Sequence, residues 1–168
     1  LTLRRNLADA MQIVWDEYVA VSQTGRTPFT VVDPAPYELV SVKPGNVPND
    51  LLDKIESVPV VLAISANLGS IAMMDKDLAR PTITGGASIY PFCWSVLLSA
   101  RARGLGGVIT TFASRVEPTT GALLNLPDNW ALAATIFLGY PIKQTTKLAR
   151  RPVESFTTVN TFDGPVFS

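Results

Sequence analysis

The sequence predicts a layered fold of the α/β or α+β kind, on three observations. Three apolar, β-prone runs lie at residues 58–66, 107–112 and 130–138. Segments with helical spacing precede or separate them, and clusters of Gly and Pro punctuate the joins. Strands interleaved with helices bury their apolar faces against one another in stacked layers.

Taken in order, Leu3, Leu7, Ala10, Met11, Val14, Trp15, Tyr18 and Val19 recur at spacings of three and four, which predicts an amphipathic helix. Arg4 and Arg5 fall off the apolar stripe and read as a solvated face. Residues 22–50 carry Pro28, Pro34, Pro36, Pro44 and Pro48 and predict a long irregular connection, as in a lid or a segment lying across a partner. A helical turn over Leu51–Ile55 is expected after Asn49, an N-cap residue type. The run from Val58 to Ala66 is almost continuously apolar, so a strand buried on both faces is expected. Residues 67–83 read as an exposed connection, with Met73 and Met74 filling gaps at a core edge rather than lining a substrate mouth.

The segment 84–112 is the centre of the chain. From Ala87 to Ala102 the apolar residues cover nearly the whole helical circumference, so this helix is either the central core helix or part of a subunit interface. Arg101 and Arg103 complement the negative end of its dipole, and Gly104 is a natural helix stop. A β-branched strand follows. Residues 117–126 predict a short helix with Pro118 in its first turn, 127–129 a turn, and 130–138 a third buried strand. The remainder, 142–168, is basic at Lys143, Lys147, Arg150 and Arg151 and then β-prone.

Composition narrows the chemistry. At 168 residues the chain is long enough for one domain burying roughly 70% of its unfolded surface. It is 47% apolar and only 17% charged, which favours an oligomer with an apolar interface. Cationic and acidic residues balance at 14 each, arguing against a nucleic acid or membrane surface read through net charge. There is no histidine, so Ser-His-Asp, Cys-His and His-ligated metal chemistry are excluded. Cys93 is alone among apolar helical residues and reads as a packed hydrophobe in a reducing, cytoplasmic setting. No paired carboxylates, dinucleotide fingerprint or phosphate loop is present. The chemistry would then come from a bound organic cofactor. The glycine turn at 104–107 would offer it backbone N–H groups, and Arg150-Arg151 forked bonds to a phosphate.

Four blocks in order, ASIYPFCWSVLLSARARGLGGVITTF, EPTTGALLNLP, ATIFLGYP and ARRPVESF, resemble the C-terminal part of the FMN-dependent nitroreductases. The resemblance covers about residues 80–160. It implies a single nitroreductase-like domain over 1–168, of α+β fold, with a mixed sheet flanked by helices in an intertwined homodimer. Residues 153–168 would be an extension packing on the partner subunit. Two FMN molecules would bind at the interface, reduced by NAD(P)H and reoxidised by a nitroaromatic, quinone or similar small-molecule acceptor. Carried over by position, Gly104, Leu105, Gly106 and Gly107 with Val108, Ile109, Thr110 and Thr111 would run beside the flavin ring. Backbone N–H groups near Thr110 and Thr111 would face its N5/O4 edge. Arg150, with Lys147 and Arg151, would meet the phosphate. The arginine-rich motif and P-S-x-x-N-x-Q-P-W-type loop that open such proteins are not in this sequence, so an N-terminally shortened chain with weakened FMN binding is expected. The rival reading is a non-catalytic dimeric remnant that binds flavin or another ligand.

Overall fold

A computed structural model describes residues 2–23, 25, 27–31 and 47–167. Most of the 22–50 connection, with Pro34, Pro36 and Pro44, lies outside the described residues. Helix α1 spans Leu3–Ser22, and its N-terminus is closed by Thr2, whose hydroxyl accepts the Arg5 amide at 3.2 Å. The apolar stripe buries Leu7, Met11 and Val14 as its spacing requires. Arg4 and Arg5 do not simply face solvent. The Arg4 guanidinium donates to the Val58 carbonyl and that of Arg5 to the Leu52 carbonyl, fastening α1 to the chain ahead of the first strand.

The turn α2 (Asp50–Asp53) is capped as expected by Asn49, whose side-chain oxygen accepts from the Leu51 and Leu52 amides. Strand β1 is Val60–Asn67, helix α3 Ile89–Ala102, strand β2 Gly106–Thr110, helices α4 Phe112–Arg115 and α5 Glu117–Leu123, and strand β3 Trp130–Gly139. The sheet order is β1-β3-β2, with both neighbours antiparallel to β3. Among the described residues the sheet is therefore antiparallel, not mixed, because β3 enters between the two earlier strands. The same order overturns the expected burial of β1. As an edge strand it is half-exposed along most of its length, and only Ala66 is fully buried.

Strand β3 is the spine of two cores. Its face toward α3 packs Ala134, Ile136 and Leu138 with Cys93 and Ala100. Its other face packs Leu132 and Phe137 with Leu7, Met11, Leu52, Ile55 and Ala113, beneath α1, α4 and α5. Leu132 and Ala134 would share a face in a regular strand. Here the register slips by one opposite Ile64/Ser65, leaving Ala133 unpaired, and the bulge turns Leu132 to the α1 side. Side chains take up polar groups at the bulge: a Glu117 carboxylate oxygen accepts the Leu132 amide, and the Tyr90 hydroxyl donates to the Ala133 carbonyl at 3.3 Å.

Helix α3 is not a central core helix. One face holds Cys93 and Ala100 against the sheet, but Phe92, Trp94 and Leu98 are 55%, 59% and 52% exposed. Its stop is a Schellman motif: the Leu105 amide returns to the Ala100 carbonyl and the Gly104 amide to that of Arg101, each at 3.0 Å. Gly104 takes φ +78°, the left-handed conformation that a side chain would disfavour. Among the described residues, no helix is long and apolar enough to cross a membrane.

Candidate functional site

Strand β2 is the opposite edge of the sheet. Among the described residues its backbone pairs with β3 on one side only, and an unpaired strand edge presents a row of N–H and C=O groups. Two cavities border it, sharing Val108 and Leu51 in their walls. The larger, about 850 Å³, is walled by Gly106 and Gly107, the α3 side chains Trp94, Leu97, Leu98 and Arg101, and the segment after β3 with Tyr140 and Lys143. The smaller, about 490 Å³, is bounded by Asn49, Tyr90, Ile109, Thr110, Thr111 and Phe112.

The residues expected to form a site therefore divide. Leu105, Gly106 and Gly107 line the larger cavity, and Ile109, Thr110 and Thr111 the smaller. Gly104 serves the helix stop. Lys147, Arg150 and Arg151 line neither. Arg150 donates to the adjacent Ala149 carbonyl, and the Arg151 guanidinium lies 5.7 Å from the centre of the Phe156 ring. Within one chain, these three cations and the glycine turn are not brought to one cavity.

The glycines themselves have internal reasons. A Cβ on Gly107 would fall 2.5 Å from Leu138 Cδ2 and 2.8 Å from Leu97 Cδ2, so α3 could not pack so closely on β2. A Cβ on Gly106 would fall 3.1 Å from the Pro141 ring. Thr110 is also occupied locally, its hydroxyl accepting the Phe112 amide at 3.1 Å and turning the chain into α4.

Two charged wall residues were not among the expected site residues: Arg101 and Lys143. Arg101 belongs to a face of α3 at spacings of three and four (Trp94, Leu97, Leu98, Arg101). That face was hidden because the helix is apolar all round. Lys143 carried no signal beyond lying just after a strand.

The titratable groups elsewhere are structural. Asp75 is buried, and its carboxylate accepts from the Thr82 and Thr84 hydroxyls, the Ile83 and Thr84 amides and the Arg80 guanidinium. Those donors, led by the Thr82 hydroxyl, hold its carboxyl far below the usual range, so it is no proton acceptor near neutrality. It pins the loop that carries Met73 and Met74; Met74 is 85% exposed and fills no gap. Burial pushes the Cys93 thiol up, keeping it neutral and unreactive. No group of three or more Cys, Asp or Glu able to hold a metal occurs among the described residues.

Neither a protein-family model nor a curated protein matches the sequence. Solved structures do match its fold. A nitroreductase-like family protein from Bacillus cereus superposes with TM-score 0.55 at 18% identity, over 94% of this chain and 68% of that one. A candidate oxidoreductase from Bacteroides fragilis NCTC 9343 superposes with TM-score 0.51 at 16% identity, over 66% of this chain and 48% of that one. This chain thus spans about half the length of the second and two thirds of the first. At these identities the likeness is one of fold: an antiparallel sheet flanked by helices, in the nitroreductase-like arrangement.

Proposed function

We propose that this chain is a nitroreductase-like oxidoreductase that holds FMN along the outer edge of β2, is reduced by NAD(P)H, and passes the electrons to a small nitroaromatic, quinone or similar acceptor. The observation that carries the reading is the β2 edge, unpaired among the described residues and bordered by two cavities that share Val108 and Leu51 in their walls. Such an edge offers fixed donors and acceptors to the polar rim of a flat heterocycle. The apolar walls (Trp94, Leu97, Tyr90, Phe112) suit its faces. Bound FMN would supply hydride and electron chemistry that the chain's own side chains lack. Backbone N–H groups of Thr110 and Thr111 would orient its rim, and such preorganised donors favour negative charge developing there. Tyr90 and Phe112 would limit water beside it.

The fit is incomplete in a single chain, since Lys147, Arg150 and Arg151 stand away from both cavities. We place the working unit as a homodimer in which the exposed face of α3 (Phe92, Trp94, Leu98) is covered. In that dimer the segment 153–168, with Phe156, Phe162 and Phe167 exposed, packs on the second copy. The phosphate grip would be completed across that contact, with Arg150 as its main member. These apolar surfaces would gain about 25 cal/mol for each Å² covered.

A second reading, a dimeric binding protein without catalysis, draws on one finding. Gly104, Gly106 and Gly107 are each explained without a ligand, by a helix stop or by internal packing.

Reconstitution separates the two. FMN at 100 times its dissociation constant should add about 2.7 kcal/mol. For a chain of this length, that raises the melting temperature by about 5–10 °C. Anaerobic NADH or NADPH should then bleach the yellow absorbance. Flavin that binds but stays yellow selects the binding-protein reading; no thermal shift and no yellow species after gel filtration removes the oxidoreductase reading and leaves a binding protein for a ligand other than flavin.

A further inference from the structure

We propose that the larger cavity selects flat aromatic anions, and that Arg101 and Lys143 are the residues that read the negative charge. Both side chains line the cavity, and among the described residues no Asp or Glu does. Neither makes a hydrogen bond or ion pair among the described residues. Most of the other arginines are engaged: Arg5 with Asp9, Arg80 with Asp75, Arg115 with Glu17, and Arg103 with the Ser99 carbonyl. Two exposed cations over an apolar floor, with no acidic side chain among the described wall residues, give the cavity a positive bias that an entering anion would meet.

The rest of the wall sets the shape. Trp94 and Tyr140 present broad aromatic surface, 59% and 84% exposed, which suits a planar ring system. The segment carrying Lys143 is held in place. Gln144 Nε2 donates to the Leu105 carbonyl at 3.2 Å, and Pro141 seats against Gly106, which has no Cβ to obstruct it. Lys143 is thereby kept in the wall of the same cavity that Arg101 lines from the last turn of α3.

The competing role for Arg101 is to complement the α3 dipole. That role predicts lost stability with no effect on which ligand binds. The proposal rests on the cavity alone and not on the flavin reading, and its test contains no flavin, so either can fail without the other.

The test compares two fluorescent probes of nearly equal shape, anilinonaphthalene sulfonate and its uncharged parent phenylnaphthylamine. Titrations use the full chain and its Arg101→Gln, Lys143→Gln, Arg101→Lys and remote Lys76→Gln variants, with thermal melts to confirm folding. The parent chain should bind the sulfonate about tenfold more tightly than the neutral probe. Each Gln variant at 101 or 143 should remove most of that preference while leaving the neutral probe's affinity unchanged. Arg101→Lys should keep much of it, Lys76→Gln should keep all of it, and added salt should shrink it. The proposal is overturned if the parent shows no preference, if the Gln variants weaken both probes alike or neither, if Arg101→Lys behaves as Arg101→Gln, or if Lys76→Gln has an equal effect. Arg101→Gln that lowers only the melting temperature returns that residue to the helix dipole and also overturns it.

Discussion

Replacing Gly107 with alanine separates a glycine required by packing from one kept for a ligand. The added Cβ would lie 2.5 Å from Leu138 Cδ2, 2.8 Å from Leu97 Cδ2 and 3.0 Å from the Phe137 carbonyl oxygen. Carbon atoms in contact prefer about 3.5–4.0 Å, so both leucines must withdraw by about 1 Å. Both leucine ends border the larger cavity and can give way in part, so the carbonyl sets the larger share of the cost. The carbonyl belongs to β3 and cannot retreat without disturbing the pairing of Gly107 with Leu138. Overpacking of this kind costs about 1–3 kcal/mol. Relief of unfolded-chain entropy returns about 0.4–1 kcal/mol. The net loss is about 1–2 kcal/mol, or a melting temperature lower by about 2–8 °C. Urea and thermal unfolding of the parent and of Gly107→Ala measure it directly. Leu138→Val in the same chain should recover part of the loss, since shortening the leucine removes the nearest atom. A Gly107→Ala protein as stable as its parent would refute the packing argument and return the glycine to the ligand.

Three further outcomes follow from single side chains. Glu117→Ala strands the Leu132 amide beside the bulge and should cost about 1–3 kcal/mol in denaturant unfolding, whereas Glu117→Gln keeps a carbonyl acceptor and should cost less. Asp75 has its folded pKa depressed, so its contribution is complete above the ordinary carboxylate value of about 4 and is lost as pH falls below it. Unfolding followed from pH 7 to pH 2 should show that acid limb in the parent, and Asp75→Asn should flatten it while exposing the Ile83 and Thr84 amides to faster hydrogen exchange. Cys93, buried and with its thiol pushed up, should resist Ellman's reagent at about pH 8 in the native protein and react once urea unfolds it, in keeping with an ordinary thiol pKa of about 8.5.

Local signals carried the fold well. The spacing in α1, the Asn49 cap, Pro118 in the first turn of α5 and Gly104 after α3 act through nearest neighbours, and each element forms where those residues place it. What failed was anything set by distant partners. The apolar run of β1 looks the same at a sheet edge as at its centre, and only the insertion of β3 decides between them. Nor does any sequence feature announce that Ala133 bulges and turns Leu132 to the other core. Arg4 and Arg5 seemed free because their acceptors are carbonyls some fifty residues away. The candidate site was half legible: the glycine turn and β2 pointed to an edge that two cavities border, but Arg101, which lines the larger one, was masked by the greasy helix around it.

That helix resolves into two working faces. Cys93 and Ala100 look inward and seal α3 to β3, so enlarging either must push helix and sheet apart. Trp94, Leu98 and Arg101 look outward into the larger cavity and are more than half exposed or open to it, so they contribute little to folding in a single chain. Exposed apolar groups at that density cost solubility unless something covers them. A flat anion, or a second copy bearing one between the subunits, would cover them and meet the two cations beside them. Substitutions on the outward face should therefore move ligand affinity with little change in melting temperature, and those on the inward face should lower the melting temperature first.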